Sequence, residues 1–367
     1  MTRVQQCLLV VCVSVFTIIG NLAFASGIDK VQENLQATVL VTTKKINAQV
    51  DETTGNIPPV QTPPQDGRGM GSGIIISKNG HIITNYHVIE SIVNKTDGQI
   101  SVWTYEDQST KEYIAKIVGY DKLSDIAVIK IELEDNFKYD RIIWGSEPDF
   151  GDTIYSIGHP QGMVWSLSRG IVSNPKRYIT SPWQRLIQSD TLIMPGNSGG
   201  PLFNAKGELV GINTLLIFSV DPTVKTQAWA MSIHIDDVKW VVDRILQYGN
   251  TRRPAMNIEV DWDEPKGKVK IRPAEGTELF ELGFREGYLL SIDGKEISEI
   301  GDIFDYLKTK IDDDVAKIKV KEIPSGDVKE YSFTLMRWDE VIEKKVEQPK
   351  EDPNIEIIPA PDLHRNN

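Results

Sequence analysis

Cysteine is almost missing from this sequence. Its 367 residues hold two, Cys7 and Cys12, and both lie in an apolar run at the N-terminus. A chain cleaved after that run carries no thiol, so neither disulfides nor thiolate chemistry supports its fold or function. Histidine is sparse as well: the five present are scattered, with no zinc-type ligand spacing, and no metal or organic cofactor is implied. Positive charge is in deficit, 40 Lys and Arg against 52 Asp and Glu, for a net charge of −12. Nucleic acid and anionic membrane surfaces both need clustered positive charge, so neither is expected as a partner. Aromatic side chains are missing between residues 26 and 69.

Residues 1–25, "MTRVQQCLLVVCVSVFTIIGNLAFA", have the form of a signal peptide. Arg3 opens the segment, residues 7–19 are almost wholly apolar, and "AFA" supplies the small-x-small cleavage pattern, with the cut after Ala25. Gly20 and Asn21 interrupt the apolar run, which argues against an uncleaved membrane anchor. Cleavage removes one base and no acid, taking the net charge from −12 to −13. The expected location is exported, in a periplasm.

From about residue 70 to Ile235, short Val/Ile-rich runs alternate with Gly, Asn and Asp turns, as in "GHIITNYHVI", "DIAVIKIEL" and "ELVGINTLL". Many short strands with regular punctuation predict a mainly β domain over residues 26–250, a β-sandwich or barrel, with a span that suits two small barrels packed together. Within it, residues 44–69 carry four prolines, three glutamines and no aromatic, and are expected as a mobile loop. A helix is expected over 236–248, capped by Asp236 and stopped by Gly249. Residues 251–338 read as a separate small α+β domain, with strands at "GKVKIRP" and "EGYLLSI", an Asp-Gly turn, a helix at "DIFDYLKTKI" and a closing hairpin. The charged, Pro-containing stretch 339–367 is expected to be disordered.

The chemistry gathers around "IMPGNSGGPLF", residues 193–203, where small residues run unbroken from Gly196 to Gly200 around Ser198. A serine hydroxyl is a weak nucleophile that needs a base beside it and an oriented partner behind the base. His87 in "TNYHVI" and Asp125 in "SDIAVIKI" provide those residue types, each next to an apolar strand. Gly196 lets the loop turn tightly, bringing the amides of Gly196 and Ser198 toward one point as an oxyanion hole with Asn197 between them. The order His, Asp, Ser is that of the chymotrypsin-like double barrel and differs from the subtilisin and α/β-hydrolase orders. The other histidines, His81, His159, His234 and His364, are expected to be packed or solvated, with His159 an ordinary turn residue.

"TNYHVI", "SDIAVIKI" and "PGNSGGPL" resemble the three catalytic motifs of the HtrA/Deg family of serine proteases. "GSGIIIS", "IGHPQG" and "SRGIVS" are similar to that family's flanking segments, and "AEGTELFELGFREGYLLSIDGKEI" to its PDZ domain. The resemblance covers about residues 28–337. It implies an ATP-independent serine endoprotease acting on unfolded or damaged proteins, with Ser198 as nucleophile, His87 as general base and Asp125 as orienter. It implies a specificity pocket shaped by Ile193, Ala228 and Ala230. None of the three is acidic, so cleavage after small or medium aliphatic residues is expected. It implies a peptide-binding PDZ domain. There Met256, Asn257 and Ile258 stand at the carboxylate-binding loop, and Ile303 and Leu307 at the groove or equally in the core. Asn257 takes the place of the family's usual glycine, and asparagine tolerates left-handed backbone. The family's trimers often use aromatics near the mature N-terminus, which this chain lacks, so a homo-oligomer would need other contacts. A different class of function remains open at this stage: a chaperone-like or PDZ-mediated binding protein whose triad is silent or gated by a signal.

Overall fold

The computed structural model of the chain describes residues 29–45, 69–106, 109–134, 137, 142–179, 183–217, 229–339 and 341. The expected signal peptide, most of the expected loop at 44–69, nearly all of the tail, and Ala228 lie outside the described residues. The chain divides into two compact units, Met1–Thr251 and Arg252–Asn367.

The first unit is two closed six-stranded antiparallel barrels. The first contains β1 (Thr38–Lys45), β2 (Met70–Ile75), β3 (His81–Thr84), β4 (Gly98–Glu106), β5 (Ser109–Asp121) and β6 (Ile126–Lys130), closed in the order β1-β2-β3-β6-β5-β4. The second contains β7 (Thr153–Gly158), β8 (Ser166–Tyr178), β9 (Arg185–Ser189), β10 (Pro201–Asn204), β11 (Leu209–Ile217) and β12 (Trp229–His234), in the order β10-β11-β12-β9-β8-β7. This is the chymotrypsin-like double barrel expected from the order His, Asp, Ser, and it decides for barrels over a sandwich.

Side chains alternate faces along a strand, and here both faces are buried. Ile75, Ile82, Ala127 and Ile129 fill the first barrel with Val39 and Val102. Their sequence neighbours Ile74, Ile83, Ile126 and Val128 point the other way, into a core shared with Ile157, Phe203 and Ile212 of the second barrel. That is why these strands read as unbroken apolar runs rather than as alternating ones. The barrels meet along this seam, and the chain segments that end there are brought together.

A short helix, α1 (Tyr86–Ile89), follows β3, and a longer one, α2 (Ile235–Tyr248), follows β12. Val238, Val241, Val242 and Ile245 of α2 join the shared core, and Gly249 ends the helix in left-handed conformation at φ 79°. The expected cap, Asp236, is not the cap. His234 is: its Nδ1 accepts from the Asp236 N–H at 3.2 Å, because β12 runs directly into the helix. Asp237, almost wholly buried, accepts from the Arg185 backbone N–H (2.7 Å) and from its Nε and Nη2 (3.0 and 2.7 Å), tying α2 to β9.

The second unit is α+β. Its main sheet runs β14 (Ile258–Asp263), β15 (Lys268–Pro273), β16 (Gly287–Ile292), β18 (Val315–Glu322), β19 (Val328–Thr334), with β17 (Lys295–Glu296) folded back on β16. A two-stranded pair joins β13 (Pro254–Ala255) to β20 (Met336–Arg337). The Asp293–Gly294 turn has both residues at positive φ, 47° and 81°, the twist that a two-residue hairpin loop requires. Two helices complete the unit, α3 (Glu278–Glu281) and α4 (Ile300–Leu307). The second starts two residues earlier and ends four earlier than "DIFDYLKTKI" suggests. The Asp302 carboxylate accepts from the Ser298 and Glu299 N–H groups and sets the start. At the other end, Lys308, Thr309 and Lys310 close turns instead of extending the helix.

Removing Asp237 leaves a largely buried guanidinium whose remaining carboxylate neighbour among the described residues is the half-exposed Asp236, 3.7 Å away. Asp237→Ala is expected to lower the stability of the first unit by about 3 kcal/mol, read as a lower urea midpoint followed by tryptophan fluorescence.

Candidate active site

His87 stands on α1, two residues past the Asn85 that leaves β3. Asp125 lies just before β6, in left-handed backbone at φ 53°, which an aspartate tolerates better than most residues. Its carbonyl accepts from the Asn85 side chain (2.8 Å) and from the Tyr86 N–H (3.2 Å), so the two segments are locked at the barrel ends. Its carboxylate then holds His87 twice: Oδ1 accepts from the His87 backbone N–H at 3.0 Å, and Oδ2 sits 2.8 Å from Nδ1. A third donor, the Thr214 hydroxyl, reaches Oδ2 at 2.6 Å. With Nδ1–H turned to the carboxylate, Nε2 carries the free lone pair of the neutral ring. The His87 side chain is 44% exposed and Asp125 20%, so the ring is open to a substrate while the carboxylate behind it is sheltered.

Ser198 sits in the Gly-rich loop before β10. The glycines are there for close approach. A Cβ on Gly196 would stand 2.2 Å from the His159 carbonyl oxygen, and one on Gly199 2.2 Å from that of Ser72, while both residues hold positive φ (104° and 86°). The Asn197 N–H closes a turn to the Met194 carbonyl (3.0 Å). On either side of it, the N–H groups of Gly196 and Ser198 donate to no protein acceptor among the described residues. The Ser198 hydroxyl donates to the Thr214 carbonyl at 3.1 Å rather than to His87. Thr214 is the extra residue of a β-bulge in β11, where pairing with β12 shifts between Asn213 and Leu215. Outside the regular ladder, its hydroxyl serves Asp125 and its carbonyl serves Ser198.

Three residues of this arrangement escape sequence reasoning. Thr214 lies in an ordinary apolar strand and carries no motif. Ser72 belongs to the flanking "GSGIIIS". His159 is the packed turn residue expected, its carbonyl accepting from the Gly162 N–H at 3.1 Å, but its place in the site is not foreseen; it is wholly buried, and burial pushes its pKa down to about 3. Its ring meets Trp165 edge-on at 5.0 Å.

Of the expected specificity residues, Ile193 and Ala230 are buried, the latter in β12 between Leu216 and Ser189. In the second unit, Asn257 adopts φ 47° beside buried Met256, and Ile258 opens β14 half-buried. Ile303 and Leu307 of α4 are buried in that unit's interior.

Glu147, His234 and Asp236 are close enough to suggest a metal centre. The chemistry is against it. The His234 Nδ1 lone pair is already taken by the Asp236 N–H, which leaves the proton on Nε2, facing Glu147 at 3.5 Å. The Arg185 guanidinium stands 3.7 Å from Asp236, and a second cation there is disfavoured.

Comparison with known proteins bears on the family and the fold. The trypsin-like peptidase domain family matches residues 71–212. "Protease Do-like 1, chloroplastic" of Arabidopsis thaliana is 32% identical over 326 residues, covering 82% of this chain and 69% of that protein. The chain belongs to the HtrA/Deg family of serine proteases. A Haemophilus influenzae member, "Probable periplasmic serine protease do/HhoA-like", is 31% identical over 280 residues, 74% of this chain and 56% of its own length. The chain thus spans little more than half of that bacterial relative. Among solved structures, the HtrA-type protease AlgW with a decapeptide shares the fold at a TM-score of 0.67 and 24% identity, covering 85% of this chain and 98% of its own. The HtrA/Deg proteins are serine endopeptidases, and the double barrel described above is the peptidase fold of this one.

The buried, neutral His159 has a consequence for pH. Its ordinary pKa is 6.5 and its folded value about 3. Above pH 6.5 it is neutral in both states and adds no pH dependence. As the pH falls below 6.5 the unfolded chain takes a proton that the folded chain refuses, and stability is lost progressively down to about pH 3. By pH 5 the loss amounts to about 2 kcal/mol. Urea midpoints at pH 7 and pH 5 are expected to differ less in His159→Asn than in the wild type.

Proposed function

We propose that this chain is an exported serine endoprotease of protein quality control, cleaving unfolded or damaged proteins by acyl transfer through Ser198, His87 and Asp125. The observation that carries the reading is the double hold of Asp125 on His87, 3.0 Å to the backbone N–H and 2.8 Å to Nδ1. It leaves Nε2 as the base. Ser198 Oγ attacks the scissile carbonyl carbon while its proton passes to His87 Nε2. The carbonyl π-pair moves onto oxygen, and the tetrahedral oxyanion is met by the N–H groups of Gly196 and Ser198. His87 returns the proton to the leaving amine as the C–N bond breaks, and water then repeats the steps on the acyl-enzyme. Asn197 supports the hole through its turn to Met194 rather than by donating into it. Of the residues that the motif resemblance gives to the pocket for the residue before the cut, Ile193 and Ala230 are buried, and small or medium aliphatic side chains are the preferred occupants.

Export is supported by the signal-peptide form of residues 1–25 and by the name of the Haemophilus influenzae relative as periplasmic. Among the described residues no helix is long and apolar enough to cross a membrane. The second unit is read as a PDZ domain on the motif resemblance and on its α+β architecture. Its edge strand β14, opening after Met256 and Asn257, is the place where an extended peptide would add to the sheet. Ile303 and Leu307 brace the helix beside that strand. Family likeness alone supports a homo-oligomer. Sedimentation that shows only monomer at micromolar concentration would count against a trimer.

A second reading, a binding protein whose triad waits for a signal, has one observation in its favour: at rest the Ser198 hydroxyl is turned to the Thr214 carbonyl. Digestion of an unfolded model protein, run with fluorophosphonate labelling, separates the two. The wild type is expected to cleave and label, Ser198→Ala to do neither, and Asp125→Asn to lose about 10⁴-fold in kcat. A wild type that neither cleaves nor labels, yet suppresses aggregation of the same protein as well as Ser198→Ala does, would hand the function to the binding reading.

A further inference from the structure

The two amides of the hole are only as well placed as the peptide planes that carry them. In a trans peptide the N–H points opposite to the C=O, so fixing a carbonyl aims the amide that follows it. The Pro195 carbonyl accepts from the Gln161 N–H at 2.7 Å, which turns the Gly196 N–H away from Gln161. The Asn197 carbonyl accepts from the Gly200 N–H at 2.9 Å, which aims the Ser198 N–H in the same way. The plane between them is held by a side chain: the Ser72 hydroxyl donates to the Gly196 carbonyl at 2.7 Å. The Ser72 backbone N–H donates to the Ser198 carbonyl, also at 2.7 Å.

Ser72 Oγ also anchors the turn that supplies Gln161. It accepts from the His159 backbone N–H (3.1 Å) and lies 2.9 Å from His159 Nδ1. A hydroxyl has one proton and two acceptor sites. With the proton given to Gly196, both sites are filled by His159, whose ring proton must therefore be on Nδ1. The Ser72 and His159 side chains are buried, and His159 Nε2 has no partner among the described residues. The turn lies flush on the loop, since a Cβ on Gly196 would meet the His159 carbonyl oxygen at 2.2 Å and the Gln161 nitrogen at 3.1 Å.

We infer that Ser72, with His159, is a buried clamp that keeps the Pro195–Ser198 peptides in the orientation that presents both hole amides, which makes Ser72 a positioning residue for the reaction. The inference rests on the reading of Ser198 and the Gly196 and Ser198 amides given above. Without the hydroxyl, the buried Gly196 carbonyl and the two His159 donors lose the partner they share among the described residues. The Gly196–Asn197 plane between the two hole amides is then free to turn, and the His159 turn that sets the Gln161 N–H on the Pro195 carbonyl loses its anchor. The clamp acts on the transition state and not on substrate docking, so kcat and KM must separate.

The test uses the purified protein, a peptide substrate, a peptide boronate as a mimic of the tetrahedral state, and a cleaved product peptide as a mimic of the ground state. In Ser72→Ala, kcat is expected to fall about 100-fold, with KM within about threefold of wild type. Fluorophosphonate labelling should slow in step. Boronate affinity should drop by a similar factor while product-peptide affinity stays unchanged. His159→Asn, which leaves the Ser72–Gly196 bond in place, is expected to lose about tenfold or less. Should Ser72→Ala fail to fold, Ser72→Cys, with a weaker donor of similar shape, carries the same comparison. Ser72→Ala with kcat within threefold of an active wild type overturns the clamp alone. So does an equal loss of boronate and product affinity, which signals general disorder. A wild type that neither cleaves nor labels overturns the reading of the site itself, and the clamp falls with it.

Discussion

Burial of both faces of β2, β3 and β6 is the constraint on which the site depends. A one-residue slip turns every side chain of a strand to its opposite face. For a strand with Ile75 inside one barrel and Ile74 in the core shared with the other, that slip forces two closely packed interiors to exchange side chains at once. The seam therefore fixes where β3 and β6 end. Those ends carry His87 and Asp125, and the loop facing them carries Ser198. No hydrogen bond at the site could hold its geometry if the seam were free to move.

On that frame the polar network is small and closely shared. The Asp125 carboxylate receives three donors, Ser72 Oγ receives two and gives one, and Thr214 serves two partners from one bulge. Each junction lies where two chain segments meet, so the hydrogen bonds that orient the reactive groups also join the segments. Buried polar groups of this kind are costly when half satisfied, which favours one arrangement over its near neighbours. Arg185 and Asp237 do the same at the back of the second barrel, with no chemistry attached.

The strand pattern narrows the first unit to a β-sandwich or barrel, and the order His87, Asp125, Ser198 selects the double barrel between them. The sequence also announces His87, Asp125 and Ser198, because a strained Gly-rich loop and an ordered trio of chemically matched residues are visible in the letters. Ser72, His159 and Thr214 were not legible as parts of the site. Their roles come from which carbonyl or carboxylate lies opposite them in space, and serine, threonine and a loop histidine occur everywhere. The same limit explains the helix caps. Asp236 has the preferred cap chemistry, but the direct passage of β12 into α2 puts the His234 ring in the capping position. Likewise Asp302 starts its helix from inside, through a carboxylate that reaches back to Ser298 and Glu299.

The bulge at Thr214 has a consequence for reactivity. A regular ladder would occupy that carbonyl with a strand neighbour. Outside the ladder it turns to the loop and accepts from the Ser198 hydroxyl. A carbonyl oxygen has two acceptor sites, so an incoming chain that offers its own N–H to Thr214 shares that oxygen with the hydroxyl and weakens the hold on it. The empty cleft and the filled one thus differ in how firmly the hydroxyl is held, and the bulge links the two.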